Sequence, residues 1–288
     1  MATLISLRRR IRAAQNVSKT TKAMQMIAAS KLKKAQEAAL SSRPYVKELT
    51  KIAQIVTLTT EDSKKHPYMQ LSTKTDKTLL IAISPDKGLC GGLITNLLRE
   101  FFSYSQEYRS SPLIVVGKKL ETQVYKLENE LLATFRFGTT LPTFDMIFPI
   151  TKIIDEYYLS GQVRSVHVLY TDFNNFFIQT PRIAQLLPIS LPEISDQILA
   201  QSNSILFEPS ISEILPTLLK HYLEMSLFQF FLEGYLSEQA ARMLAMQNAT
   251  NNAKDIIEAL RLEYNKTRQA KITSELLDII GGRSKKNE

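Results

Sequence analysis

The sequence has no tryptophan, a single cysteine and only 9 glycines in 288 residues. One cysteine, Cys90, cannot close an intrachain disulfide, which argues against a disulfide-stapled secreted scaffold and suits a reducing compartment. Scarce glycine favours long helices, because glycine costs about 1 kcal/mol relative to alanine inside one. No apolar run approaches the ~18–20 residues that a membrane helix needs. The longest candidates, Leu79–Ile83 and Phe230–Leu232, are far shorter, so membrane association is expected only through a partner. The amino-terminal segment lacks the continuous apolar stretch of a signal peptide. Its Arg-rich amphipathic pattern runs on unbroken for about fifty residues instead of ending as an organellar transit peptide would.

Catalytic signatures are missing too. There is no GxxxxGK[ST] phosphate loop, no GxSxG elbow, no HExxH and no Cys/His metal cluster. The three histidines, His66, His167 and His221, are scattered and read as surface or core residues. No motif in the sequence marks a catalytic residue, a cofactor site or a metal site.

What is present divides unevenly. The overall 44% hydrophobic and 22% charged residues are ordinary for one or two globular domains. The formal charge of +8 is concentrated at one end: residues 1–47 carry eleven Lys and Arg against one acid, Glu37, a net of +10. The remaining 241 residues therefore sum to −2. Such a block implies an acidic partner surface, whether nucleic acid, lipid or protein.

Residues 3 to about 58 read as one long helix. Leu7, Ile11, Ala14, Val17, Thr21, Met24, Ala28, Leu32, Ala35 and Ala39 mark a stripe with a step of about 3.56 residues, between the coiled-coil and straight-helix periods. At 1.5 Å per residue the helix is roughly 80 Å long, too long to bury within one domain, so it must pack on a second long helix. That partner runs from about Ser210 to Ile280. Ser210 and Glu213 fit a capping box, with Pro216 placed to kink the first turns or delay the start. Met243, Met246, Thr250, Ala253, Ile257, Leu260 and Tyr264 form the seam. Gln269, Ile272, Leu276 and Ile279 resume it after a slip in phase, and Gly281-Gly282 ends the helix.

Between the helices the texture changes. Strands are expected at Thr78–Ser84, Leu113–Val116, Leu131–Phe137, Val163–Tyr170 and Phe177–Leu186. Helices are expected at Leu93 to about Tyr108, after Val116 up to Glu128, and around Phe144–Leu159. This alternation predicts βαβ units. The predicted fold class is α/β: an antiparallel coiled coil of long N- and C-terminal helices with an inserted Rossmann-like α/β domain. The predicted divisions are 1–59 (coiled-coil helix), 77–190 (α/β domain), 209–282 (coiled-coil helix) and 283–288 (a basic tail), with joints at 60–76 and 187–208.

The segment Gly88-Leu89-Cys90-Gly91-Gly92 follows a strand and precedes a helix. It reads either as an anion cradle or as a tight turn needing glycine. The GxGxxG spacing is not met, which favours the turn. No aromatic residue precedes Tyr45, so base stacking by the basic helix is not expected. Two other functional classes stay open at this point. One is a basic coiled coil that binds nucleic acid or an anionic membrane surface; the other is a nucleotide- or flavin-binding enzyme built on the α/β domain.

The run from Ile11 to Lys31, IRAAQNVSKTTKAMQMIAASK, resembles the first helix of ATP synthase gamma subunits. Ser42-Arg-Pro-Tyr45, Gly88-Leu-Cys-Gly-Gly-Leu93, Ser237-Glu-Gln-Ala-Ala-Arg-Met243 and the segment from Tyr264 to Leu276 resemble further signatures of that family, in family order. The chain departs from the family pattern at Thr20, Ile94 and Lys271 and in its charged tail. The resemblance implies a non-catalytic central-stalk rotor of an F-type ATP synthase, coupling ion (proton) flow to ATP synthesis. Implied partners are three alpha and three beta subunits, the epsilon subunit and the membrane c-ring, with no nucleic acid and no membrane span of its own. By motif match, Lys22, Met24, Lys31, Arg242, Gln269, Thr273 and Glu275 are the expected contacts with the beta subunits. The expected location is the cytoplasmic face of a bacterial inner membrane, peripheral through the complex.

Overall fold

The computed structural model describes residues 3–59, 66–72, 74–125, 129–136, 138–191, 207–208 and 210–284. Much of the two expected joints, and residues 285–288 of the expected tail, lie outside the described residues. Helix α1 covers Leu4–Thr59 and carries Pro44 without ending there. The chain then forms β1 (Thr78–Ile83), α2 (Leu93–Glu107), β2 (Leu113–Val116), α3 (Lys118–Val124), β3 (Leu131–Phe135), α4 (Phe148–Leu159), β4 (Ser165–Phe173) and β5 (Gln179–Leu187). Helix α5 closes it over Ile211–Ser284.

Several boundaries differ from the sequence expectation for physical reasons. Helix α5 begins at Ile211, ahead of Pro216, so the proline neither delays nor ends it. The Ser210 hydroxyl donates to the Glu213 carboxylate at 3.1 Å, while its carbonyl accepts the Ile214 N–H at 3.1 Å. The helix continues through Gly281-Gly282 to Ser284. Ahead of α4, Phe144–Ile147 is a 3₁₀ turn. Strand β4 outlasts its apolar run because Thr171, Asp172 and Phe173 pair with Pro181, Thr180 and Gln179. Strand β5 starts after Ile178 because Asn175 accepts the Phe177 and Ile178 N–H groups, each at 2.9 Å, and so fixes the hairpin turn.

The five strands lie in the order β3-β2-β1-β4-β5. All neighbours are parallel except β4 and β5. Alternate residues of the central strands feed two cores. Leu79, Ile81, Val166 and Val168 share one core with Ile150 and Ile154 of α4 and with Leu219, Leu223 and Leu227 of α5. Leu80, Ala82, Leu113, Val115 and Leu169 share the other with Leu97 and Phe101 of α2 and Leu120 of α3. Burial on both faces is why β1 and β2 read as unbroken apolar runs.

The chain forms two compact units, one of Ala29–Arg242 and one of Met1–Ala28 with Met243–Glu288. In the larger unit Arg43 of α1 meets Glu233 of α5 and Tyr45 meets His221, so partner numbers fall as α1 advances and the helices are antiparallel. In the smaller unit the seam of α5 is buried at Met246, Thr250, Ala253, Ile257 and Leu260. The one polar member has a partner: the Thr250 and Thr21 hydroxyls lie 2.8 Å apart, and Thr250 also donates to the Met246 carbonyl at 2.8 Å. On α1 the expected stripe errs at Val17, which is 53% exposed. The seam follows the helical step from Ala14 through Ser18 to Thr21, and Ser18 and Thr21 are both half-buried. The expected resumption of the seam also differs: Gln269, Ile272 and Leu276 are exposed. With Thr21 opposite Thr250, the start of α1 at Leu4 falls opposite the turn of α5 around Thr267, so the described part of α1 does not reach the last turns of α5.

Candidate functional site

Two kinds of surface carry the charged residues expected to make contacts. In the smaller unit, Arg8, Arg9, Arg10, Arg12, Lys19 and Lys22 are exposed on α1. No acid precedes Glu37 to neutralise them. Lys22 donates to the Gln25 side chain at 3.3 Å, and Met24 beside it is half-buried. Farther along α5, Gln269, Thr273 and Glu275 are exposed. The Thr273 hydroxyl donates to the Gln269 carbonyl at 3.0 Å. Lys271 pairs with Glu275 at 3.6 Å, one helical turn apart and in solvent, a pairing of at most a few tenths of a kcal/mol. Ile272, Leu276 and Leu277 present exposed apolar surface among them.

Lys31 and Arg242 are placed differently, inside the larger unit at the carboxyl ends of the strands. The Arg242 side chain is 12% exposed and pairs with Glu238 at 2.7 Å. Its second amino group donates to the carbonyls of Lys87 and Gly88 at 3.2 and 3.3 Å. Lys31 donates to the Thr139 carbonyl, which also accepts the Tyr235 hydroxyl at 3.2 Å. Burial pushes the Glu238 carboxyl up, and the Arg242 cation opposes that shift. Burial likewise pushes the Cys90 thiol up, again against Arg242. The Gly88–Gly92 segment is a turn in which Gly91 has φ +58°, the left-handed region suited to glycine, and Leu89 also sits there at φ +67°.

The strand order reverses between β1 and β4, where doubly wound folds bind nucleotides beyond the strand ends. Here α5 fills that crevice with Phe231, Tyr235 and Glu238. The cavity left is about 50 Å³, bounded also by Asp86, Gly117, Gly138 and Thr171. Small-molecule sites span about 300–1,000 Å³. Among the described residues no group of His, Cys, Asp and Glu is arranged to hold a metal ion. None of the described helices is long and apolar enough to cross a membrane.

The expected contact residues thus fall into three groups: Lys22 with Met24, Lys31 with Arg242, and Gln269 with Thr273 and Glu275. Sequence reasoning missed several residues that the structure brings together. Glu233, buried in α5, accepts Arg43 at 2.8 Å and Gln229 at 2.9 Å. Tyr68 donates to Asp155 at 2.6 Å, and Lys220 lies 3.5 Å from the same carboxylate. The Ser42–Tyr45 signature contained the one available hint, since it holds Arg43.

A family model described as ATP synthase matches residues 3–284. The ATP synthase gamma chain of Dehalococcoides mccartyi is 39% identical over 284 residues, covering 98% of both chains. The chain belongs to the ATP synthase gamma chain family. The gamma chain of Laribacter hongkongensis is 36% identical over 287 residues, covering 98% of this chain and 99% of the relative. Among solved structures, a chain from the Euglena gracilis mitochondrial ATP synthase assembly of OSCP, F1 and c-ring superposes with a TM-score of 0.65 at 19% identity. That match covers 98% of this chain and 93% of the other. A chain from the central stalk and c-ring of the Tetrahymena thermophila mitochondrial enzyme gives 0.60 at 24% identity, covering 80% and 99%. At these identities the structures show a shared fold.

Proposed function

We propose that this chain is the central-stalk rotor subunit of an F-type ATP synthase. It couples transmembrane ion flow to ATP synthesis and carries no catalytic residue itself. The observation that carries this reading is the un-neutralised basic face of α1 on a paired antiparallel helix, in a chain of the gamma family. A rotor must meet each beta subunit in turn without locking to one. Exposed cations facing acidic loops meet that need, because screened Coulomb attraction is soft and long-ranged. Its partners in this reading are three alpha and three beta subunits, the epsilon subunit and the membrane c-ring. The complex lies at the cytoplasmic face of a bacterial inner membrane.

Lys22, Met24, Lys31, Arg242, Gln269, Thr273 and Glu275 are the proposed contacts with the beta subunits. Lys22, Gln269, Thr273 and Glu275 are open to solvent in the single chain, whereas Lys31 donates to a backbone carbonyl and Arg242 to two backbone carbonyls and the Glu238 carboxylate within it. The exposed apolar residues Ile272, Leu276 and Leu277 fit a seat in the alpha–beta ring.

Co-expression with alpha and beta subunits of the same source tests the reading. The expected product holds one copy of this chain per three alpha and three beta subunits, with ATPase activity above that of the ring alone. Recovery of the chain by itself, beside a ring that forms without it, would refute the assignment.

A further inference from the structure

We infer that the strand-end loops of the α/β unit form a clamp of fixed backbone acceptors that grips α1 and α5 and carries torque between them and the sheet. The inference rests on the rotor reading and names the residues through which such a rotor passes its load.

Two loops and one strand end at the carboxyl side of the sheet present carbonyls to the helices. The loop after β1 offers Lys87 and Gly88 to Arg242. The loop after β3 offers Thr139 to Lys31 of α1 and Tyr235 of α5. Strand β4 offers Thr171 to the fully buried Ser237 at 3.0 Å. The α5 donors Tyr235, Ser237 and Arg242 lie within about two turns of that helix, and one further donor, Lys31, comes from α1.

The acceptors are themselves braced. Asp86, in the loop after β1, accepts the Lys118 N–H at the start of α3 at 2.8 Å through one oxygen. Its other oxygen accepts the Gly138 N–H, next to Thr139, at 2.6 Å. One carboxylate therefore ties the β1, β2 and β3 ends into a single frame. Apolar packing between α5 and the sheet resists separation but is non-directional, so it opposes sliding and twisting weakly. A hydrogen bond weakens steeply as its angle departs from linear, so bonds to braced carbonyls oppose those motions. In doubly wound enzymes these loops hold a ligand; here they hold the chain's own helices.

Ser237, Tyr235 and Asp86 are positioning residues in this scheme, and stiffness is the property that separates it from simple structural support. The test uses the assembled complex, held by its head, with a bead on the α/β unit. The head is arrested and the width of the bead's angular fluctuation is measured. Tyr235→Phe, Ser237→Ala and Asp86→Asn are compared singly and together with wild type, in complexes of equal subunit stoichiometry. The expected result is a wider fluctuation in each variant, widest in the combination, and fewer ions pumped per ATP under load. ATPase without load should be unchanged, and Ser237→Thr, which keeps the hydroxyl, should restore the narrow distribution. An unchanged width in the combined variant would overturn the clamp while leaving the rotor reading intact. A wild-type bead that never turns with ATP would refute the rotor reading and the clamp with it. Should the combined variant not assemble, unchanged widths in the assembled Tyr235→Phe and Ser237→Ala complexes would overturn the clamp equally.

Discussion

Gly117 shows how closely single residues fit the strand ends. Its φ of +95° lies where side chains are rarely tolerated, and an added Cβ would stand 1.9 Å from the Ser84 carbonyl oxygen. Gly117→Ala should therefore cost on the order of 3 kcal/mol or more. A fall in the urea midpoint with an unchanged slope would report it. Glu238 gives a pH signature. Burial holds its carboxyl above the ordinary 4.5, so the folded state binds the proton more tightly than the unfolded chain. Stability should fall as pH rises from that ordinary value through the raised one. Glu238→Gln should flatten this part of the pH–stability curve. An unaltered slope in the variant would place the titration elsewhere. The backbone partners of Lys31 and Arg242 were not legible in the sequence, because backbone carbonyls exist at every position and only folding decides which ones face a cation.

At the scale of elements, the seam of α5 could be read directly, since Met246, Thr250, Ala253, Ile257 and Leu260 keep the spacing that burial requires. Val17 misled because its apolar side chain outweighed its phase, while Ser18 held the correct phase with a polar one. The strands β1 and β2 were legible because burial on both faces demands continuous apolar residues. The filling of the β1–β4 crevice was not, because Phe231, Tyr235 and Glu238 arrive from a helix far along the chain. Pairing between α1 and α5 in the larger unit includes the Arg43–Glu233 ion pair. Arg43→Met would leave Glu233 buried with Gln229 as its remaining partner. Because Arg43 is half-exposed, the expected loss is about 1–3 kcal/mol, below the full cost of breaking a buried pair. Thermal unfolding of the variant measures it. On α1, Met24→Lys adds a cation beside Lys22 on the face proposed to meet the beta subunits. Ions pumped per ATP should drop while assembly is kept. Wild-type coupling in that variant would remove Met24 from the contact surface.

For the whole molecule, charge and chemistry divide along the chain. The +10 of residues 1–47 exceeds the total of +8, so the basic end alone accounts for the net charge. The place where an α/β enzyme would hold a ligand is filled by the chain's own helix. Both features fit the proposed rotor, a part that transmits force. High salt should weaken the basic face's attraction for an acidic partner, as expected for exposed charges separated by about a Debye length, ~8–10 Å at physiological salt. The most direct test of the rotor reading is to fix an assembled head by its beta subunits, attach a bead to the α/β unit and supply ATP. The bead should turn in one sense and pause once for each beta subunit. A bead that stays still while the head hydrolyses ATP at its full rate would contradict the rotor reading.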